Sequence, residues 1–599
     1  MLNAATPELA AAHLARIPLK QGVQLFGTGA HAVPVPLYRA PGARLLWLNQ
    51  RAMLDDAAFH ELDGDVAAYG AHLLAACALT LHVGPCQHMP DATGYADRYG
   101  GVGISTNGGS GRAALVNGYI VKGIGRTPLV GETVDAMHGS GGAYLEECLR
   151  ETIFSEVVGA EFPHSAIPTL ALIDTGMIQH WDNTATHWDD TADVPVAERR
   201  VLLVRACFVR PAHLERAPGF HSPNPKEGAL DFKRVQHMFA ELTKLLGAER
   251  LAAQCARFVR HWAEQLAYAY VHRLSPSGNS TSNICLDGAL LDFGACAALP
   301  SWAQIMMIPG SPATGNELQT LEQAVHSLCY HFGRSLDPAF AEPCTYEAIV
   351  TEARAAYAKT LSVEMLRLCG IPRHLAQQGV DGPLRGAIDG AVASVLARYR
   401  RERFDIYACT PEPKVTPDLN HVWANAPPPH LARLRAVLDT LACDADAASS
   451  NSGLLMRPRV GLYREEMKTV LHRLLAAGPQ QGLSEQDFIS SLICSTVASG
   501  RRDTRNDMPG GVACGFAVAP RFSLALYRCS HTGALFAAIE WAVGSIFAAA
   551  KPVDAPSPHA SSASCFAIAG WDARGIVLAG TVPARFDCFV ATYTEVVAP

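Results

Sequence analysis

Four groups of residues in this chain have the chemistry to hold a polyphosphate and a divalent cation. Asp292 opens an Asp-Phe-Gly tripeptide that closes 280–294 (STSNICLDGALLDFG), and an aspartate placed after a tight turn offers magnesium a carboxylate. Upstream, 107–116 (NGGSGRAALV) puts Gly108, Gly109 and Gly111 beside Arg112, so unobstructed backbone N–H groups stand next to a guanidinium. Lys122 follows on the β-type run Tyr119, Ile120, Val121, without the G-K-[ST] spacing of a Walker-type phosphate loop. A phosphate-binding lysine on a strand needs a carboxylate to hold it extended. The amphipathic stretch 143–158 (AYLEECLRETIFSEVV) offers Glu146, Glu147, Glu151 and Glu156, and spacing alone does not choose among them.

These residues need elements to aim them. Between 249 and 274, Leu251, Cys255, Phe258, Val259, Trp262, Leu266, Tyr270 and Val271 recur at three- and four-residue steps, which predicts one long amphipathic helix. A polar loop over 275–282 comes next. Asp287-Gly288, lying between the apolar runs 284–286 and 289–291, then predicts a hairpin, because the turn needs backbone angles that Asp and Gly tolerate. Helix, polar loop, hairpin and Asp-Phe-Gly is the order found in the C-terminal lobe of a protein kinase. Prolines 411, 413, 417 and 427–429 bracket a stretch that cannot be continuous helix or central strand, which sets a linker at 409–429. A second interruption, proline- and serine-rich, covers 551–564.

Composition narrows the classes. A chain of 599 residues exceeds one usual core, and 49% apolar with 18% charged residues describes packed rather than disordered protein. The net charge of −7 argues against a nucleic-acid partner. With no run of about 18 apolar residues and no signal-like start, the expectation is a cytoplasmic protein outside the membrane. Seventeen scattered cysteines without a C-x-x-C pair suggest reduced core residues rather than a disulfide framework or zinc site. His82, Cys86 and His88 are close in sequence but read as a loop after the helix-like run 73–81.

Taken in order from 95 to 299, these segments resemble the selenoprotein O family, kinase-fold proteins that bind ATP in an inverted orientation and transfer AMP to protein hydroxyls. The family's glycine loop G-D-G-R-A is similar to 109–113, and its L-K-G-A-G-x-T-P segment to 121–128, which implies that Lys122 contacts phosphate. Its I-R-E-x-x-x-S-E helix matches Leu149-Arg150-Glu151 and Ser155-Glu156, and so selects Glu151 as partner of Lys122. A second glycine element is similar to 140–143 and includes Gly141. Two phosphate-gripping arginines fall on Arg205 and Arg210 if two residues are deleted between them. The resemblance thus implies nucleotide contacts from Gly109, Gly111, Arg112, Lys122, Gly141, Arg205, Arg210 and Asp292. Catalytic roles fall on Lys122, Glu151 and Asp292.

For the second metal ligand, two registers compete. His272-Arg273-Leu274 with Asn279 after it imitates the kinase spacing, whereas the family's N-T-D-N falls on 280–283 and gives Asn283. Asn283 is favoured because it directly precedes the first run of the hairpin. In either register the general base is missing: its position is Leu274 or Ser282. The acidic residues of both family glycine loops are likewise serines here, Ser110 and Ser140.

The fold expected is α+β: a two-lobed, protein-kinase-like fold of the selenoprotein O kind with an additional C-terminal α/β domain. The divisions are an N-terminal extension (1–94), a glycine-loop lobe (95–235), a mainly helical lobe with Asp-Phe-Gly (236–408), the linker, and 430–599. In that last part, 430–442 and 463–477 read as helices and 512–526 and 564–597 as strands, with a charged loop over 499–511. The function expected is ATP- and Mg²⁺-dependent transfer of AMP, or alternatively phosphate, to a protein or peptide acceptor. The alternative is a catalytically impaired, pseudokinase-like nucleotide-binding scaffold.

Overall fold

The computed structural model describes residues 31–441 except 82–88, 101–107, 132–133, 135, 182–196, 218–230, 277, 300, 308–311, 370, 372, 406–418, 420–421 and 423–424. It further describes 471, 475, 484–498 and strands between 511 and 579. The protein is mixed α+β. Eight strands form one curled antiparallel sheet: β1 (Ala32–Arg39), β2 (Arg44–Leu48), β3 (Leu79–Thr80), β4 (Ala92–Asp97), β5 (Ala113–Val116), β6 (Tyr119–Lys122), β7 (Ala171–His180) and β8 (Ala197–Ala206). Their order is β2-β7-β8-β6-β5-β4-β1-β3, so β6, which ends in Lys122, is central. The division expected at 94/95 falls within β4.

Alternation along the strands decides which face each side chain meets. Val121, Leu202, Val204, Ala114 and Val116 face one core, together with Tyr69, Leu73 and Cys77 of α1 (Val66–Cys77). Ile120, Leu115, Val201 and Leu203 face the opposite core, which includes Leu149, Ile153 and Val157 of α2 (Leu145–Glu161). Register places Lys122 opposite Leu203 and Ile120 opposite Arg205, so Lys122 and Arg205 share the face covered by α2. The β5–β6 turn is Asn117-Gly118, both at positive φ (48° and 93°), as the tightest right-twisted hairpins require.

Helices dominate after the sheet: α3 (Asp231–Leu246), α4 (Ala248–His272), α5 (Glu317–Ser335), α6 (Tyr346–Leu368), α7 (Arg373–Asp381), α8 (Arg385–Tyr399) and α9 (Pro429–Leu441). The helix expected over 249–274 is α4, whose buried stripe contains every predicted apolar residue. The expected division at 235/236 falls inside α3. α9 corresponds to the helix expected from 430. Among the described residues no helix is long and apolar enough to cross a membrane.

Two short ladders brace the chain beyond α4. β9 (Leu274–Ser275) pairs with β10 (Ala297–Ala298), closing the base of the loop that carries Asp292. β11 (Gln304–Met306) pairs in parallel with β12 (Arg403–Asp405). Toward the C-terminus come α10 (Glu485–Ala498), a four-stranded antiparallel sheet β13–β16 within 511–550, and a hairpin of β17 (Ala567–Asp572) and β18 (Gly575–Ala579). The strands expected in 512–526 correspond to β13 and β14, and part of the run expected in 564–597 to β17 and β18. The histidines and cysteine of 82–88, the prolines at 411–417, most of 463–477, the interruption at 551–564 and the charged loop at 499–510 lie outside the described residues.

Candidate functional site

The hairpin ahead of Asp292 forms, but its tight turn has Leu286 and Asp287 at the centre rather than the Asp-Gly pair, and only Gly288 of that pair takes a positive φ. Gly288 N–H donates to the Cys285 carbonyl (2.9 Å), Cys285 N–H to Ala289 (2.8 Å), and Gly288 sits at φ +97°. A Cβ on Gly288 would lie 2.4 Å from His261 Cβ, so close approach to α4 also demands glycine here. α4 grips the turn: Gln254 donates to the Leu286 carbonyl (2.5 Å), Gln265 to Gly288 (3.1 Å), and His261 Nδ1 bonds the Asp287 carbonyl (2.6 Å). Leu291 N–H donates to the Asn283 carbonyl (3.0 Å), which sets Asn283 beside the strand leading into Asp292. His272 of the competing register is buried and bonded to Glu364 (2.8 Å).

Lys122 is where the elements converge. Its Nζ donates to Glu151 Oε2 at 2.5 Å and to Asp292 Oδ1 at 3.3 Å, and lies 3.7 Å from Glu147 Oε1. Glu151, with no solvent exposure, also accepts from Arg205 Nη2. Burial by itself would lower the Lys122 pKa, but the carboxylates of Asp292 and Glu151 outweigh it and raise the value. Lys122 above all, then Arg112, Arg205 and Arg210, hold the Asp292 carboxyl far below the usual range. Asp292 has φ +61°, a left-handed conformation uncommon outside glycine, and its side chain is 43% exposed, the most open of the group.

The sequence leaves the direction of Arg210 open, and the structure gives it. Its Nη1 donates to the Ser282 carbonyl at 2.5 Å, and its guanidinium lies over Tyr99 (4.7 Å) and Phe208 (5.1 Å). Its backbone N–H donates to His213 Nδ1 (2.9 Å), which makes the other ring nitrogen the donor to Asp97 Oδ2 (2.9 Å). The Nε atoms of both Arg205 and Arg210 are buried without a protein partner.

The glycine loops are stitched to one another. Gly123 N–H donates to the Arg112 carbonyl (2.8 Å), Thr127 N–H to Gly111 (2.9 Å), and Gly125 N–H to Gly141 (3.0 Å). A Cβ would come within 2.3 Å of the Asp97 carbonyl at Gly109 and within 1.9 Å of Arg126 N at Gly141. Chain packing therefore demands glycine at both positions. The serines at 110, 140 and 282 are bound locally. Ser140 Oγ shares a hydrogen bond with Tyr144 OH (2.6 Å), Ser282 Oγ shares one with Ser280 Oγ (2.6 Å), and Ser110 N–H donates to Asp97 (2.9 Å).

Two residues named in the sequence take contacts that it did not assign to them. Glu147 takes Arg112 in a two-pronged pair, Nη2 to Oε1 at 2.6 Å and Nη1 to Oε2 at 3.1 Å. Its i, i+4 spacing to Glu151 was the available signal, since it puts both carboxylates on one helical face. Arg150, adjacent to Glu151, donates to the carbonyls of Gly294 and Cys296 and so ties α2 to the segment after Asp292. Glu156 is directed elsewhere, to Asn49 (2.6 Å) and Arg51 (3.5 Å). Among the described residues no group of three or more His, Cys, Asp or Glu is arranged to hold a metal ion. No protein-family model matches this chain, and a search of curated proteins finds no match.

Proposed function

We propose that this chain is an ATP- and magnesium-dependent transferase with the two-lobed, kinase-like fold of the selenoprotein O family, carrying an additional α/β domain in 430–599. It would move AMP, or in the variant reading phosphate, onto a hydroxyl of a protein or peptide acceptor. The observation that carries this reading is the meeting of Glu151 and Asp292 at Lys122, at 2.5 and 3.3 Å, from elements far apart in sequence.

The donor set suits the cofactors. Buried Nε atoms on Arg205 and Arg210 await an acceptor, as a phosphate oxygen would be. Magnesium usually takes one or two protein oxygens beside phosphate and water, and Asp292 with the side-chain oxygen of Asn283 offers that number. Asn283 Nδ2 donates to the Gly278 carbonyl at 2.9 Å, leaving Oδ1 as the atom for a cation. When bound, the metal would neutralise phosphate charge. Lys122, held by Glu151, would grip phosphate oxygens, and Gly109, Gly111 and Gly141 would let the chain approach them. In AMP transfer the acceptor hydroxyl oxygen would attack the α-phosphorus, pyrophosphate would leave, and the hydroxyl proton would pass to solvent. Positioning and charge supply most of such catalysis, and a general base typically adds about 10²- to 10⁴-fold.

The second reading, a nucleotide-binding scaffold, draws on Ser282. It supplies no carboxylate, its hydroxyl is shared with Ser280, and its carbonyl is taken by Arg210. Parallel incubations with ATP labelled at the α- or γ-phosphate, with Asp292→Ala as control, separate the readings. Label from the α position alone means AMP transfer, and label from γ alone means phosphorylation. ATP-dependent thermal stabilisation without label means the scaffold, and no stabilisation by ATP with magnesium sinks nucleotide binding itself.

A further inference from the structure

We infer that Glu147 is a latch on Arg112, holding the glycine-loop arginine closed and setting how tightly the pocket takes a polyphosphate. The inference rests on the polyphosphate reading of the Lys122 site.

Both terminal nitrogens of Arg112 are engaged. Nη2 and Nη1 donate to the two Glu147 oxygens at 2.6 and 3.1 Å, and Nη1 also to the Gly142 carbonyl at 3.2 Å. The parallel fork that would grip a phosphate therefore already grips a carboxylate. Glu147 is not needed to hold Lys122, because Glu151 does so at 2.5 Å while Glu147 stands off at 3.7 Å. The pair is mostly buried but not sealed: the Glu147 side chain is 18% exposed and that of Arg112 15%, so both border solvent, whereas Glu151 is wholly enclosed.

Glu147 also repels the expected ligand. Lys122, Arg112, Arg205 and Arg210 are matched by Glu147, Glu151, Asp292 and, beside Arg210, Asp97, leaving no net positive charge for a polyanion. Removing Glu147 leaves one and frees the arginine nearest the glycine loop. Burial pushes the Glu147 pKa up, but Arg112 and Lys122 pull it well below the usual range, so the latch stays charged under ordinary conditions. It opens by exchange, with the entering phosphate taking Arg112 as the Glu147 carboxylate turns toward solvent. Glu147 is thus a specificity-determining residue that favours ligands bringing enough charge to displace it.

The test is calorimetric titration of the full-length chain with inorganic tripolyphosphate, and separately with ATP and magnesium. Glu147→Gln and Glu147→Ala should bind tripolyphosphate about tenfold tighter than wild type, the scale of one freed charged hydrogen-bonding group. Adding Arg112→Ala to either variant should abolish the gain. Glu147→Gln keeps the shape of the side chain and serves if the alanine variant does not fold, as thermal unfolding will show. Unchanged or weaker tripolyphosphate binding in a folded variant overturns the latch, as does a gain that survives loss of Arg112. A tripolyphosphate gain with no ATP binding upholds the latch and sinks the nucleotide reading. ATP binding that ignores Glu147, with no tripolyphosphate gain, does the reverse.

Discussion

Glu151 and Asp292 both touch Lys122, yet their energetic roles differ because their surroundings differ. Glu151 is enclosed and compensates two buried cations, Lys122 and Arg205, so its removal strands both charges. Glu151→Ala should cost about 3–5 kcal/mol, read from the urea midpoint. Asp292 is 43% exposed and faces solvent-screened charge, so Asp292→Asn should change stability by less than about 1 kcal/mol. Asparagine also tolerates the left-handed backbone there. The same substitution should nonetheless abolish thermal stabilisation by ATP with magnesium; a large stability loss without that effect would make Asp292 a structural residue. Glu215 supplies the pH test at this scale. Burial pushes its pKa from 4.5 to about 7, against Thr281 Oγ1, Ser327 and Arg234. A carboxyl raised by folding contributes stability that is complete below pH 4.5 and is lost as pH rises through about 7. His261, lowered to about 4, runs the opposite way, so the comparison must be with Glu215→Gln. The wild type should lose Tm relative to that variant between about pH 4.5 and about 7, and parallel curves would refute the assignment.

At the scale of elements, the hairpin before Asp292 depends on one glycine. Gly288→Ala would force alanine to φ +97° and place its Cβ 2.4 Å from His261 Cβ. The backbone strain alone costs about 1–3 kcal/mol. The expected result is a lower urea midpoint, with hydrogen exchange rising first in 283–291; uniform exchange across the chain would argue against a local hinge. This hairpin and α4 were legible because turn chemistry and 3.6-residue periodicity are local. β1 was not, since Pro34 and Pro36 argue against a strand. They are accommodated because β1 pairs with β4 through 32–37 and with β3 only at Tyr38 and Arg39, so the two prolines, of the same parity, sit toward an unpaired edge. Choosing Glu151 over its neighbours required the family resemblance, and the Arg112–Glu147 pair required three dimensions, because helix spacing alone does not say which cation each carboxylate meets.

For the molecule as a whole, α10 joins the C-terminal segment to the sheet and to the helix that carries Glu147 and Glu151. It packs against α2 and β2 on one side and against β13 and β14 on another. Glu485 accepts from Arg44 (2.6 Å) and Arg199, and both arginines also reach Asp174. Ile489 and Ile493 are buried in the same core as Leu149, Ile153 and Val157 of α2. Magnitudes decide which contact holds the junction. The ion pairs are partly exposed and each contributes at most about 1 kcal/mol, falling with salt. Truncating a buried isoleucine costs about 2–5 kcal/mol, because transfer energy and an unfilled cavity add. Ile489→Ala should therefore raise hydrogen exchange in 145–161 together with 485–498, and leave α8 protected. Glu485→Ala should do so only weakly, and less still at high salt. If exchange rose in 485–498 while 145–161 kept its protection, α10 would be a passive neighbour and the C-terminal segment would have no mechanical hold on the Lys122–Glu151 pair.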